Sequence, residues 1–292
     1  MDKMEGIDYV VPMVFPDDAR WQADLRSSGL RYANSARWRS WGNEELLIRL
    51  VRKNMPWLRS IIILLARESQ RKPWMDGVRV VYHREFIPKS LLPVFNVNTI
   101  EMFLHKIPDL SERFIYGNDD MFPLGKLSEE DFFVGNVPCQ HMEERPMPPQ
   151  MNVFHLFVRE GLNMIAAEYG YRFTETYLSG GHSIAPILKS TIEEVWRKHG
   201  GRIRESFTEQ RSPDNFNQYI FSYYQHFSGN FIDHVPRRSY TSVKIMPAED
   251  VVKMIESPRA GIVCINDNGN LSDCDEYARV VKEALLSRLA GK

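Results

Sequence analysis

The 292-residue chain is poor in cysteine: Cys139, Cys264 and Cys274 are its only thiols, and no two form a C-x-x-C pair. An odd, scattered set excludes a disulfide framework and a structural zinc site and points to a reducing compartment. Long apolar runs are also missing. The most continuous one, Ile61 to Ala66, falls far short of a bilayer span, and the opening MDKMEGIDYV lacks the apolar segment of a signal peptide. The expectation is a cytoplasmic protein with at most peripheral association at the inner face of the membrane. Neither sign of charge is in excess, with 37 Lys and Arg against 38 Asp and Glu, which argues against a nucleic-acid partner. The chain has no G-x-x-x-x-G-K-[ST] loop, no G-x-G-x-x-G fingerprint, no H-E-x-x-H and no G-x-S-x-G elbow. DNGNLSDCDE, Asp267 to Glu276, has the wrong glycine and acidic spacing for a calcium hand.

What is present is a chain with 43% apolar residues, enough for a sizeable core. Short apolar runs (IDYVVPMV, SIIILLA, VRVVYH, RFIYGN) alternate with helix-period segments at 44–53 and 98–106. That alternation predicts an α/β fold built on a mostly parallel sheet. A proline-rich stretch, ERPMPPQ, interrupts the pattern at Glu144 to Gln150. Beyond it helices are predicted at 153–169, 187–199 and 215–227, followed by a strand-like SVKIM, a helix, AGIVCIND and a terminal helix. The expected organisation is therefore an N-terminal part of the core over 1–143, a mainly helical insertion or cap over 144–235, and a return to the core over 236–292.

Ligands of open α/β sheets gather at the carboxyl ends of strands, so polar residues that close an apolar run carry weight. RFIYGNDD closes on Asn118, Asp119 and Asp120, and AGIVCINDN on Asn266, Asp267 and Asn268. Asn and Asp are also ordinary turn formers. Two adjacent carboxylates nevertheless conflict unless a cation lies between them, and magnesium is held by one or two carboxylates together with substrate phosphates. A phosphorylated substrate with Mg2+ or Mn2+ is implied. Basic and imidazole candidates are Arg37 and Arg39 in SARWRSW, His83 in VVYHREF, His182 in SGGHSIAP and Arg211 in EQRSPDNF. Each has a plain alternative, since surface arginines are usually solvated and a histidine after two glycines can simply close a turn.

In order along the chain, these stretches resemble the conserved blocks of the Stealth family, bacterial capsular polysaccharide (exopolysaccharide) phosphotransferases related to the catalytic region of N-acetylglucosamine-1-phosphotransferase. IDYVVPMVFPDDARW looks like the first block, IDxVYTWVDGSDxxW, keeping Ile7, Asp8, Val10, Val14, Asp18 and Trp21. RWRSWGNEELLIRLVRKNMPW, VVYHREFIP, LPVFNVNTIE and FIYGNDDMF look like the second; GGHSIAPILKS with RSPDNF resembles the third, and CINDN the fourth. Phe15 stands where the first block has an aspartate, and Ser40 to Glu44 depart from the family's R-F-R-D-N-D-E-L.

The resemblance implies a Rossmann-like, glycosyltransferase-A-like sheet with a helical insertion or cap. It also implies transfer of a sugar 1-phosphate from a nucleotide-sugar donor to a hydroxyl of an oligosaccharide or polysaccharide acceptor, free or lipid-linked, with release of a nucleoside monophosphate. Carried over, Asp119 and Asp120 serve metal and diphosphate, Arg211 and Lys189 phosphate charge, and Asp8 with Asn96 donor positioning. His182 is the candidate for general base or phosphate contact, with Asp267 competing for the base role. Arg37, Arg39, His83, Asn118 and Asn266 complete the expected substrate contacts. The rivals are a metal-dependent glycosyltransferase that releases a nucleoside diphosphate and a non-catalytic glycan-binding subunit of a capsule assembly complex.

Overall fold

A computed structural model describes residues 6–30, 38–209, 211–268 and 271–291 of the protein. Arg37 lies outside them. The elements begin with β1 (Ile7–Pro12), α1 (Ala19–Ser27), α2 (Glu44–Asn54), β2 (Ser60–Leu65), β3 (Arg79–Tyr82), α3 (Val97–Met102), β4 (Arg113–Tyr116) and β5 (Met121–Pro123). The middle of the chain forms β6 (Phe133–Val134), β7 (Val137–Gln140), β8 (Glu143–Pro146), α4 (Val153–Ala166), β9 (Thr176–Ser179), β10 (Ala185–Leu188), α5 (Lys189–Glu205) and α6 (Tyr219–Phe227). It closes with β11 (Ile232–Asp233), β12 (Arg238–Ser242), α7 (Ala248–Glu256), β13 (Ile262–Asn266) and α8 (Leu271–Ala290).

The central sheet has the order β10-β4-β1-β2-β3, parallel throughout except for β10, which runs antiparallel to β4. Its strands are apolar on both faces, as a sheet covered on both sides requires. Tyr9, Val11, Ile63, Leu65 and Ile115 point into one core cluster; Val10, Ile62, Leu64, Phe114 and Tyr116, at the alternate positions, point into the other. Helices α2, α7 and α8 cover the first face through Leu47, Leu50, Val51, Val251, Ile255, Val281 and Leu285, and α4, α5 and α6 cover the second through Leu162, Ile165, Ile192, Val195, Ile220 and Phe221. Each such fully buried aliphatic side chain contributes about 1.5–3 kcal/mol. The α/β architecture expected from the alternation is what the chain builds.

Three differences from the sequence reading have clear causes. The helix expected over 187–199 starts only at Lys189, because Ile187 and Leu188 pair with Phe114 and Arg113 and complete the sheet edge. The segment 144–235 is accordingly woven into the core through β10 as well as covering one face with helices. The strand expected over SVKIM lies instead over Arg238–Ser242, parallel to β13, and ends where SVKIM begins. Cys139, Cys264 and Cys274 are all buried. Among the described residues no helix is long and apolar enough to cross a membrane.

Two buried histidines give the fold an acid weakness. His83 and His105 are nearly enclosed, at 6% and 5% exposure, and burial lowers both to about 4 from the usual 6.5. The unfolded chain takes up those protons first, so the stabilisation they carry is complete above pH 6.5 and is lost as pH falls towards 4, on the order of 3 kcal/mol each at the limit. The expected result is a steep fall in urea midpoint across that window, made shallower by His105→Gln. An unchanged slope in the variant would contradict it.

Candidate functional site

The chain order places a site at one point of the sheet. From β1 the chain winds outward through β2 and β3, then returns to add β4 on the other side of β1, so connections diverge between the carboxyl ends of β1 and β4. Such a switch point leaves a crevice. Here it is a cavity of about 430 Å³ whose lining includes Met13 after β1, Ala66 after β2, His83 after β3 and Asn118, Asp119 and Asp120 after β4.

Antiparallel pairing supplies the next side chains. Strand β13 pairs with β5 so that Cys264 faces Met121, Ile265 N–H donates to Asp120 O at 2.9 Å, and Asn266 Nδ2 donates to Asp120 Oδ2 at 3.4 Å. The two strand ends that close on Asn-Asp, far apart in sequence, thus lie side by side, and both line the cavity. The direction of β10 explains His182. It precedes an antiparallel neighbour of β4, so it stands at the carboxyl edge of β4 and lines the cavity. Its Nδ1 lies 3.3 Å from the Tyr219 hydroxyl, and its ring meets Tyr240 edge-on.

The backbone leaves little slack beneath this edge. Gly117, just before Asn118, has no room for a side chain: a Cβ there would lie 2.4 Å from the Tyr9 hydroxyl oxygen and 2.8 Å from a methyl of Ile184. Gly117→Ala is expected to cost about 1–3 kcal/mol in urea unfolding and to lower turnover by displacing the aspartates. Native stability in that variant would show that the turn can give.

Three carboxylates crowd the cavity floor. The Asp119 carboxyl is pushed up to about 8, first by burial, then by Asp120 and by Glu44. Asp120 Oδ1 is buried with no hydrogen-bond partner. Glu44 reaches the floor from the first turn of α2, delivered by a turn at Gly42 whose φ of +70° favours glycine, and accepts from Ser40 Oγ at 2.5 Å. An oxygen of Asp120, a ring nitrogen of His182 and the sulfur of Cys264 also come within 4.8 Å of one another. Burial, followed by the charge of Asp120, raises the Cys264 thiol well above its usual value, so it stays a neutral thiol and is no nucleophile.

One wall is cationic and aromatic. Arg39 grips Asp267 through two 2.6 Å bonds, and Trp41 Nε1–H donates to the same carboxylate at 2.9 Å. Trp38, Trp21 and Phe95 form an edge-to-face stack beside them. Arg211 also lines the cavity, as an exposed residue with no carboxylate in ion-pair range among the described residues.

Of the expected site residues, Asp119, Asp120, His182, Arg211, Asp267, Arg39, His83, Asn118 and Asn266 line this one cavity. Three are elsewhere. Asp8 is the second residue of β1, at the amino edge, where Arg59 holds it at 2.9 and 2.5 Å and Ser111 N–H donates to it at 2.9 Å; it staples the sheet and cannot meet a donor in the crevice. Lys189 follows β10 and, because that strand is antiparallel, emerges at the amino edge, facing Glu193 at 3.8 Å. Asn96 caps α3 and donates to Asn215 Oδ1 at 2.9 Å, while Asn215 donates to Ser206 O and Thr208 Oγ1. Asn96 therefore holds the loop that carries Arg211. Asp267, saturated by Arg39 and Trp41, is poorly suited to the base role.

Glu44, Asn43, Cys264, Tyr219 and the Trp21, Trp38, Trp41 wall went unseen in the sequence. Glu44 reads there as an ordinary acidic first-turn residue of a helix. The tryptophans were the available signal, large aromatics clustered with arginines.

Comparison with known proteins adds to this geometry. Residues 37–140 match Stealth protein CR2, conserved region 2, a span that runs from the aromatic wall through the aspartates of the floor. That stretch carries the likeness to the Stealth family. Similarity to curated proteins extends well beyond that region. The receptor polysaccharide phosphotransferase WefC of Streptococcus oralis is 29% identical over 92% of this chain and 93% of its own. The capsular polysaccharide phosphotransferase WcwK of Streptococcus pneumoniae is 27% identical over 99% and 98%. The capsular polysaccharide phosphotransferase cps1A of Actinobacillus pleuropneumoniae is 29% identical over 82% and 70%. Among solved structures, the galactosyltransferase LgtC in complex with donor and acceptor sugar analogs aligns with 96% of this chain and 95% of its own, at 11% identity and a TM-score of 0.42.

Proposed function

We propose that the protein is a capsular or exopolysaccharide phosphotransferase, passing a sugar 1-phosphate from a nucleotide-sugar donor to a hydroxyl of a glycan and releasing a nucleoside monophosphate. The observation that carries this reading is the convergence of Asp119, Asp120, His182 and Arg211 on one cavity at the switch point of the sheet, in a chain whose relatives are named as polysaccharide phosphotransferases.

A divalent cation, Mg2+ or Mn2+, fits the floor on this chain's own evidence: the unpartnered Asp120 Oδ1 and the raised Asp119 are carboxylates lacking a counter-charge. Asp119 and Asp120 would hold it, and when bound it supplies positive charge to the diphosphate of the donor. Arg211 adds charge from its exposed loop for phosphate oxygens. The tryptophan wall and the neutral His83 shape the donor pocket and exclude water. Arg39 is held in one orientation by Asp267, which keeps that wall rigid.

In the transfer, an acceptor oxygen attacks the phosphorus bonded to the sugar, and the bond from that phosphorus to the nucleoside phosphate breaks. The hydroxyl proton goes to His182, which keeps Nε2 open as an acceptor when its Nδ1–H donates to the Tyr219 oxygen. Tyr219 is thus a positioning residue. Its buried hydroxyl stays protonated, raised by enclosure and by Glu101.

The deciding experiment incubates the protein with magnesium, a panel of nucleotide sugars and a capsule-type oligosaccharide and identifies the released nucleotide by mass. A monophosphate, with a sugar phosphate added to the acceptor, is expected. A diphosphate with only a sugar added would replace this reading with an ordinary glycosyltransferase, and no transfer with intact glycan binding would favour a non-catalytic subunit.

A further inference from the structure

The loop at 180–183, between β9 and β10, is a partition. His182 faces the large cavity, while Gly180, Gly181 and Ser183 on the same loop line a second cleft of about 30 Å³ together with Tyr219 and Arg238. The guanidinium of Arg238 lies flat against the loop: a Cβ at Gly181 would come within 2.9 Å of its Cζ and Nε, and the φ of +69° there likewise calls for glycine. The sequence thus clears a space for this arginine beside the candidate base.

Arg238 is half-buried, and no carboxylate stands in ion-pair range of it among the described residues. The acid on the neighbouring hairpin, Glu143, is already held by Arg145 at 3.0 and 2.7 Å. Next to Arg238 in the lining, Ser183 Oγ is buried without a hydrogen-bond partner, in a residue only 8% exposed. A partly desolvated guanidinium and an orphaned hydroxyl are both costly unless something accepts their hydrogen bonds, and an anion with two oxygens satisfies both. The space admits roughly two water-sized groups, which suits the non-bridging oxygens of a phosphate and not a nucleotide.

Resting on the sugar-phosphate reading above, we propose that this cleft is an acceptor subsite for a phosphodiester already present in the glycan, with Arg238 and Ser183 binding its non-bridging oxygens. A phosphodiester is what such a transfer leaves behind. The class of reaction that supplies the preferred acceptor is therefore an earlier sugar-phosphate transfer, and each product is a better acceptor than the neutral glycan that started the chain.

The test uses two probes, a pair of hexoses joined by a phosphodiester and the same pair joined by a neutral glycosidic bond, with affinities measured by titration calorimetry on the full chain. The wild-type protein is expected to prefer the phosphodiester by about tenfold. Arg238→Met removes that preference, and Ser183→Ala reduces it by about threefold, each leaving the neutral probe and nucleotide-sugar affinities unchanged. Should Arg238→Met unfold, Ser183→Ala and Arg238→Lys carry the test, the lysine weakening the preference by loss of the bidentate fork. Equal binding of both probes by the wild-type protein, or a preference that survives in the variants, overturns the subsite. So does inorganic phosphate displacing the diester with equal affinity, which would mark a general anion site. These outcomes are separate from the nucleotide released: a diphosphate product sinks the transfer reading whatever the probes show, and a monophosphate product with equal probe binding sinks only the subsite.

Discussion

Asp120→Asn is expected to lower turnover by about 10³-fold or more while making the metal-free protein more stable at neutral and alkaline pH. The two effects have one cause. Asp120, Asp119 and Glu44 share a cavity floor, and burial first, then their repulsion, lifts the Asp119 carboxyl to about 8. A folded-state value above the unfolded one of 3.8 means the folded protein keeps a proton that the unfolded chain has released. The associated stability is complete below the unfolded value and is lost as pH rises through about 8. Asparagine preserves the shape of the side chain and removes one of the two repelling neighbours, so Asp119 ionises more readily and the loss with pH becomes smaller. Function moves the other way, because the same crowding of negative charge is what would hold a divalent cation in the proposed site. The measurements are nucleotide release under saturating magnesium and thermal midpoints from pH 5 to 9 without metal. Near-normal turnover would remove Asp120 from the metal site, and an unchanged pH dependence of stability would mean that the carboxylates are not coupled.

The second large effect is on proton transfer. His182→Ala is expected to cut kcat by about 10²–10⁴-fold with donor affinity unchanged, and added imidazole should restore part of the rate. Tyr219→Phe removes only the hydroxyl 3.3 Å from Nδ1 and is expected to give a smaller loss, up to about tenfold, in kcat alone. A parallel loss of kcat and donor binding in His182→Ala, with no rescue by imidazole, would instead make His182 a phosphate contact. His182 is argued to be the base over Asp267 because Asp267 already accepts two bonds from Arg39 and one from Trp41.

The expected site separates into residues that strand ends locate and residues that only blocks of resemblance suggested. Asn118, Asp119, Asp120, Asn266 and Asp267 follow apolar runs, and all five line the cavity. Asp8, Asn96 and Lys189 are polar residues inside recognisable blocks, and each works in the scaffold: Asp8 with Arg59 at the amino edge, Asn96 with Asn215 beneath the Arg211 loop, Lys189 at the first turn of α5. A block of resemblance records which residues a fold and its chemistry need together, without saying which need each one serves.

By itself the sequence determined the alternation of strand and helix and the two strand ends that close on Asn and Asp, because each of these follows from local patterning. Strand direction was a tertiary decision. Residues 182 and 189 lie on the same short stretch, yet antiparallel pairing of β10 with β4 sends His182 to the carboxyl edge and Lys189 to the amino edge. The pairing of β13 with β5 likewise sets Asn266 and Cys264 against Asp120 across about half the chain. A side chain's chemistry is written in its residue type, but which groups share a cavity depends on which strands pair and in which direction, and that is settled by burial of both faces of the sheet.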